Sequence, residues 1–214
     1  MSAVQAESIY GKNREQLEAL CAEVVGSIEE LRQHITDKRG MDPVEHCLSR
    51  VKDEESMREK CRRKGFSETP RSALVEIRDA AGVRVVCAFR SDVYLVRDHL
   101  AQLPAFAVVE EKDYIRQAKP NGYRSLHMIL HTIDGRTPVG CGDADGFYVE
   151  VQLRTISMDT WAALEHHLKY KKAAPENERL IAAELKRCAD ELASTDLSMQ
   201  SLHDVIVGDA WRGE

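Results

Sequence analysis

The 214-residue sequence contains no apolar run approaching the roughly 18 residues of a membrane-spanning helix, so no membrane partner is expected. Its opening stretch, MSAVQAESIYGKNREQLEAL, lacks the basic-then-apolar order of a signal peptide, and secretion is not expected. Six cysteines (Cys21, Cys47, Cys61, Cys87, Cys141 and Cys188) are scattered without a CxxC pair. That excludes a zinc knuckle, a thioredoxin-type site and a disulfide scaffold, and it fits a reducing cytoplasm. Neither a GxxxxGKS/T loop nor a GxGxxG fingerprint is present, so any bound phosphate must be held by side-chain cations and not by a glycine loop at a helix start. An HExxH zinc motif is missing too, which leaves His166 and His167, beside Glu165, as surface or cleft-lining groups on a helix. No repeat or low-complexity tract occurs.

What is there suffices for a globular domain: 43% hydrophobic and 31% charged residues can build a core and a solvated surface. The net charge of −6 hides an asymmetry. Residues 1–34 hold six acids and three bases, and residues 176–214 nine acids and four bases. From Arg50 to Lys64, seven bases face four acids, and from Lys112 to Arg124 four bases face one acid. A basic centre between acidic ends suits a polyanion bound at one place and argues against RNA as more than a secondary partner. The first basic run equally fits a solvated helix face carrying pairs such as Glu54–Arg58 and Glu59–Arg63.

Leu17, Leu20, Cys21, Val24, Ile28, Leu31 and Ile35 keep a helical period, predicting a helix over about residues 11–36 that Asp37–Pro43 breaks. A second helix is expected over Asp53–Lys64, stopped by Gly65. Strands are expected at Val83–Phe89, Phe106–Glu110, Ser125–Ile133 and Phe147–Leu153. A helix capped by Asp92 runs to about Leu103, and another over Ser157–Lys171 carries Trp161, Leu164 and Leu168 on one face, with Trp161 and Leu164 expected in the core. Pro175 opens a further helix, and a separate short one carries Leu202, Val205 and Ile206. The order predicts an α/β (α+β) fold with a mixed, largely antiparallel sheet flanked by helices. It also divides the single domain into a helical extension (1–45), a core (46–172) and C-terminal helices (173–214).

Two acids stand out. Asp79 immediately precedes the apolar strand in RDAAGVRVV, and Glu150 lies inside another in FYVEVQLRT. On a period of two, Tyr148, Glu150, Gln152 and Arg154 share one face, which suits the floor of a wet cleft. Two carboxylates on adjacent strands can hold a hard cation such as Mg²⁺. A solvated edge strand and a turn aspartate would give the same pattern. NGYRSLH (121–127) adds a close-approach glycine, an aromatic surface for a base, and cations.

Taken in order, SRVKDEES, RDAAGVRVVCAF, EEKDYI, KPNGYRSLH and EVQLRTISMDTWAALEHHLKYK resemble the RelA/SpoT synthetase domain, most of all the small, single-domain alarmone synthetases of the RelQ type. The resemblance implies a five-stranded, nucleotidyltransferase-like sheet and a GTP pyrophosphokinase of the stringent response. Such an enzyme moves the β,γ-pyrophosphate of ATP to the ribose 3′-hydroxyl of GTP or GDP and has no hydrolase domain. It also implies that Asp79 and Glu150 hold Mg²⁺, with Glu150 as base. Arg50, Lys52 and Arg84 would contact ATP, assisted by Arg62, Arg63 or Lys64. Lys119, Asn121, Tyr123 and His127 would line the guanine nucleotide site, joined by Gln152 and Asp159. A homotetramer is implied as well. Relatives that bind pppGpp as an activator use the segment here occupied by Pro43–Leu48, where His46 and Leu48 replace the aromatic and hydroxyl residues expected.

Overall fold

Alternation builds the sheet. In β2 (Ala81–Cys87), Ala81, Val83, Val85 and Cys87 are buried while Gly82 and Arg84 are partly open. In β5 (Tyr148–Thr155) and β4 (Leu126–Thr132) the same period buries Val149, Val151 and Leu153, and Leu126, Met128 and Leu130. The computed structural model describes residues 8–170 and 177–210. With β1 (Val44–Val51) and β3 (Phe106–Asp113), the strands form one five-stranded sheet in the order β1-β2-β5-β4-β3. Only the β2–β5 pair is parallel; the others are antiparallel. The edge strand β3 is bulged between Val108 and Glu110 and carries Glu110, Glu111 and Lys112, features that discourage edge-to-edge pairing.

Helix α1 (Arg14–Arg39) buries Leu17, Leu20, Cys21, Val24 and Ile28 and packs on β1, β2 and α3 (Arg90–Leu100). It ends at Gly40, whose positive φ closes the last turn. Helix α2 (Glu54–Lys64) starts under Asp53, whose carboxylate accepts from the Ser56 amide at 3.1 Å, and stops at Gly65, as expected. Asp92 does cap α3, but from its third position: it accepts the Phe89 amide. A short π-helical turn, Ser72–Glu76, leads into β2. Helix α4 (Ile156–Tyr170) and the long α5 (Glu178–Ala210) complete the fold, joined by a hydrogen bond from Trp161 Nε1 to the Leu185 carbonyl at 2.8 Å.

Several expectations are corrected. Residues 44–51 form a fifth strand, which the sequence pattern does not announce. Its outer positions alternate poorly because it is an edge strand. Trp161 is buried, but Leu164 and Leu168 are more than half exposed, so their face of α4 is not a core face. The separate short helix around Leu202 is the distal part of the unbroken α5. Pro175 and the boundary at residue 172 lie outside the described residues. Ahead of α1, Ile9 and Tyr10 are fully buried, and the Tyr10 hydroxyl donates to the Lys52 carbonyl at 2.8 Å. Burial, with the charges of Asp79 and Glu54 adding, pushes the Tyr10 phenol well above its ordinary range.

Candidate active site

The face of the sheet turned away from α1 carries the polar residues, and strand register sets them in rows. Gly82 of β2 lies opposite Arg50 of β1 on one side and Glu150 of β5 on the other. One step along, Arg84 lies opposite Leu48 and Gln152, and Gln152 opposite His127 of β4, which faces Lys112 of β3. Arg50, Lys52, Asp79, Arg84, Glu150 and Gln152 therefore line one cleft. A Cβ on Gly82 would meet nothing closer than 3.9 Å, so packing does not demand glycine there; its effect is to leave the floor open between Arg50 and Glu150. Leu48, from the segment read as a regulatory motif, also lines this cleft.

At its donor end, Asp79 Oδ2 is in contact with two ammonium groups. Lys52 Nζ lies 2.9 Å away, and Lys60 Nζ, from α2, makes a closer contact still. The other oxygen, Oδ1, is buried without a hydrogen-bond partner. Lys60 is the α2 cation that the sequence reading missed. The helical period held part of the signal: Met57 and Cys61 are the buried positions of α2, and at 3.6 residues per turn Lys60 falls about 60° from Met57, whereas Arg62 and Arg63 fall about 140° and 120° away. The cations chosen instead are not in the cleft. Arg62 is half exposed and paired with Glu55 and Glu68 at 2.6 and 2.8 Å, Arg63 is exposed, and Lys64 lines a neighbouring depression with Lys60, Arg78 and Glu110.

At the other end the polar groups are chained. The Tyr123 hydroxyl is 2.8 Å from His127 Nε2, and His127 Nδ1 lies 3.4 Å from Glu150 Oε1. Gln152 Nε2 donates to Glu150 Oε2 at 3.0 Å. Arg154, nearly buried, donates to the Tyr123 hydroxyl, to Gln152 Oε1 and to Asp159 Oδ1 at 2.9, 3.1 and 2.8 Å. Asp159 also pairs with Arg84 at 3.6 Å, so one carboxylate joins the cation of β2 to that of β5. Lys119 Nζ sits over the rings of Tyr114 and Tyr123, 4.4 and 4.9 Å from their centroids. Burial pushes the Glu150 carboxyl up, but the hydrogen bond and charge of His127, with Gln152 and Lys60, outweigh it and hold the group below its ordinary value. Burial, then the neighbouring Arg154, lowers Arg84, and Asp159 opposes them.

Asn121 has a structural part within its own loop. Its Oδ1 accepts the Tyr123 amide and its Nδ2 donates to Glu165 of α4, so it shapes the loop and ties it to a helix. Gly122 is held in the same loop at φ +91°, and a Cβ there would come within 2.5 Å of the Ala189 Cβ on α5. Gly122→Ala should cost roughly 2–3 kcal/mol through backbone strain and overpacking. A chemical denaturation midpoint equal to that of the parent protein would contradict this docking.

A family model described as the region found in RelA/SpoT proteins matches residues 49–175. The chain belongs to that family. The matched region takes in every polar cleft residue named above and leaves out only Leu48 at the cleft's edge. The chain is 45% identical over 133 residues to GTP pyrophosphokinase YwaC of Bacillus subtilis, covering 62% of this chain and 61% of that protein. With GTP pyrophosphokinase YjbM of the same organism it shares 34% identity over 164 residues, covering 75% of this chain and 72% of that one. The fold is similar to that of small alarmone synthetase 1 from Bacillus subtilis bound to its product pppGpp, with a TM-score of 0.72 and 28% identity, covering 90% and 93% of the two chains. Among the described residues no helix is long and apolar enough to cross a membrane.

Proposed function

We propose that this protein is a pyrophosphokinase of the stringent response that transfers the β,γ-pyrophosphate of ATP to the ribose 3′-hydroxyl of GTP or GDP. The observation that carries the reading is the convergence, on one cleft floor, of Asp79 and Glu150 with Arg50, Lys52 and Arg84. In the transfer the acceptor 3′-oxygen bonds to the β-phosphorus, the bond from that phosphorus to the α,β-bridging oxygen breaks, and AMP departs. Arg50, Lys52, Lys60 and Arg84 neutralise the triphosphate and hold its β-phosphorus in line with the attacking oxygen. Glu150 accepts a hydrogen bond from the 3′-hydroxyl and aims it. Its lowered pKa makes it a weak base, so the proton passes to it late, as the new P–O bond completes. Tyr123, with Lys119 beside it, offers the face for the guanine base, and Arg154 holds the Tyr123 hydroxyl.

The residues fit a Mg²⁺ ion. The described residues include no cluster of three or more His, Cys, Asp or Glu arranged as a metal cage, but Asp79 and Glu150 share the cleft and Asp79 Oδ1 is an oxygen donor without a partner. Two carboxylates suit an ion that keeps its other positions for water and phosphate. Bound there, it would supply charge neutralisation on phosphate oxygens. Cytoplasmic location and homotetramer formation belong to the same proposal, and the exposed Leu164, Leu180, Leu202, Val205 and Ile206 on α4 and α5 support self-association.

Incubation with ATP and Mg²⁺ should release AMP only when GTP or GDP is added, in equal amount to a 3′-pyrophosphorylated guanine nucleotide. Release of pyrophosphate in place of AMP, or AMP formation indifferent to the guanine nucleotide, would point to another nucleotidyltransferase chemistry on the same scaffold.

A further inference from the structure

We infer that Lys52 and Lys60 close the Asp79 carboxylate to a free divalent cation, so that the ion enters with the nucleotide and not before it. The inference rests on the pyrophosphokinase reading above.

Three groups meet at one point. Lys52 follows the end of β1, where its amide donates to the Ala80 carbonyl at 2.8 Å, and Lys60 comes from α2. Both ammonium groups contact the same oxygen, Asp79 Oδ2, while Oδ1 is bare and buried. All three side chains are largely shielded, at 22%, 22% and 14% exposure. Two cations on one carboxylate leave the cluster with a net charge of +1. The second acid of the cleft gives no relief, since both Glu150 oxygens are engaged by His127 and Gln152. Arg50 and Arg84 line the same hollow.

A hydrated divalent ion approaching this cluster alone meets like charge. Each ammonium about 5 Å from a doubly charged ion weakens its binding by roughly tenfold, even with water-like screening. A nucleoside triphosphate reverses the balance. Its phosphate oxygens give both lysines an alternative anion, and the lysines leave Oδ2 as they take it. The same two side chains thus hold Oδ2 and keep the cluster positive in the free protein, and they release the carboxylate to the ion when phosphate arrives.

The test uses Mn²⁺ as the probe. Its binding is followed by the electron paramagnetic resonance signal of the free ion, on the full chain, with and without the non-transferable analogue α,β-methylene-ATP. The parent protein should bind Mn²⁺ at least about tenfold more weakly without the analogue than with it. Lys60→Met and Lys52→Met should each tighten nucleotide-free Mn²⁺ binding by about tenfold while weakening binding of the analogue. Lys60→Arg, which keeps the charge, should retain the exclusion, and circular dichroism checks that each variant is folded. Equal Mn²⁺ affinity with and without the analogue, or Lys→Met variants whose nucleotide-free affinity is unchanged or lower, would overturn the inference. Failure of the underlying reading looks different: the analogue then does not bind the parent protein at all, with or without Mn²⁺.

Discussion

Glu150→Gln should lower the turnover number for AMP release by about 10²–10⁴-fold while leaving the fold in place. The substitution keeps the shape and one carbonyl oxygen, so hydrogen bonding to Gln152 can continue. It removes the negative charge that His127 and Lys60 now stabilise. That charge contributes to stability, and its sign can be worked out. The folded-state pKa lies below the ordinary 4.5, so the contribution is present above the unfolded-state pKa and is lost as pH falls through the lower, folded value. At neutral pH the variant forfeits it, but a group one quarter open to solvent yields a modest loss, and the melting point should move by no more than about 5 °C. The same lowering means that Glu150 puts no acid limb near neutrality into the pH profile of kcat/KM. Steady-state AMP release and a thermal melt measure both effects. Near-normal turnover would remove Glu150 from the chemistry.

Asp159→Ala should produce the largest loss of stability. Asp159 is the shared counter-ion of Arg154, 6% exposed at its side chain, and Arg84. Removing one partner of a buried pair leaves the other charge uncompensated, at a cost of about 3–5 kcal/mol when burial is complete. Asp159 is itself one fifth exposed, which reduces the figure to roughly 2–4 kcal/mol, or about 5–15 °C in melting temperature for a chain of this size. The two guanidinium groups then repel each other, and Arg154 loosens its hold on Tyr123 and Gln152. KM for the guanine nucleotide should rise with the fall in stability, and Asp159→Asn should recover part of both. A rise in KM with unchanged stability would instead restore the direct guanine contact that the resemblance implies.

Much of the site was legible because it lies on strands, where a period of two assigns faces without knowledge of partners. Glu150 and Gln152 fell on the open face by counting alone, and the long apolar period of α1 placed its buried side. Asp79 was found by its position before a β-branched run. Other features were illegible for physical reasons. Lys60 was hidden in a run of seven bases, where only the angle set by Met57 and Cys61 separates it from Arg62 and Arg63. The ion pairs of Asp159 with Arg154 and Arg84 could not be read locally, because that meeting depends on the pairing of β2 with β5. Edge strand β1 shows no clean alternation, so no local pattern announces it. Tyr10 precedes any periodic segment, and its burial follows from tertiary packing beneath Lys52.

The single parallel pairing carries a consequence for biosynthesis. β2 and β5 are joined only after α3, β3 and β4 have been laid down between them. A chain emerging from the ribosome therefore presents Asp79 well before its distant partner strand exists, and long-range pairings of this kind close slowly. Until β5 is in place the cleft lacks Glu150 and Gln152, so a half-made polypeptide carries only the β1–β2 side of its floor.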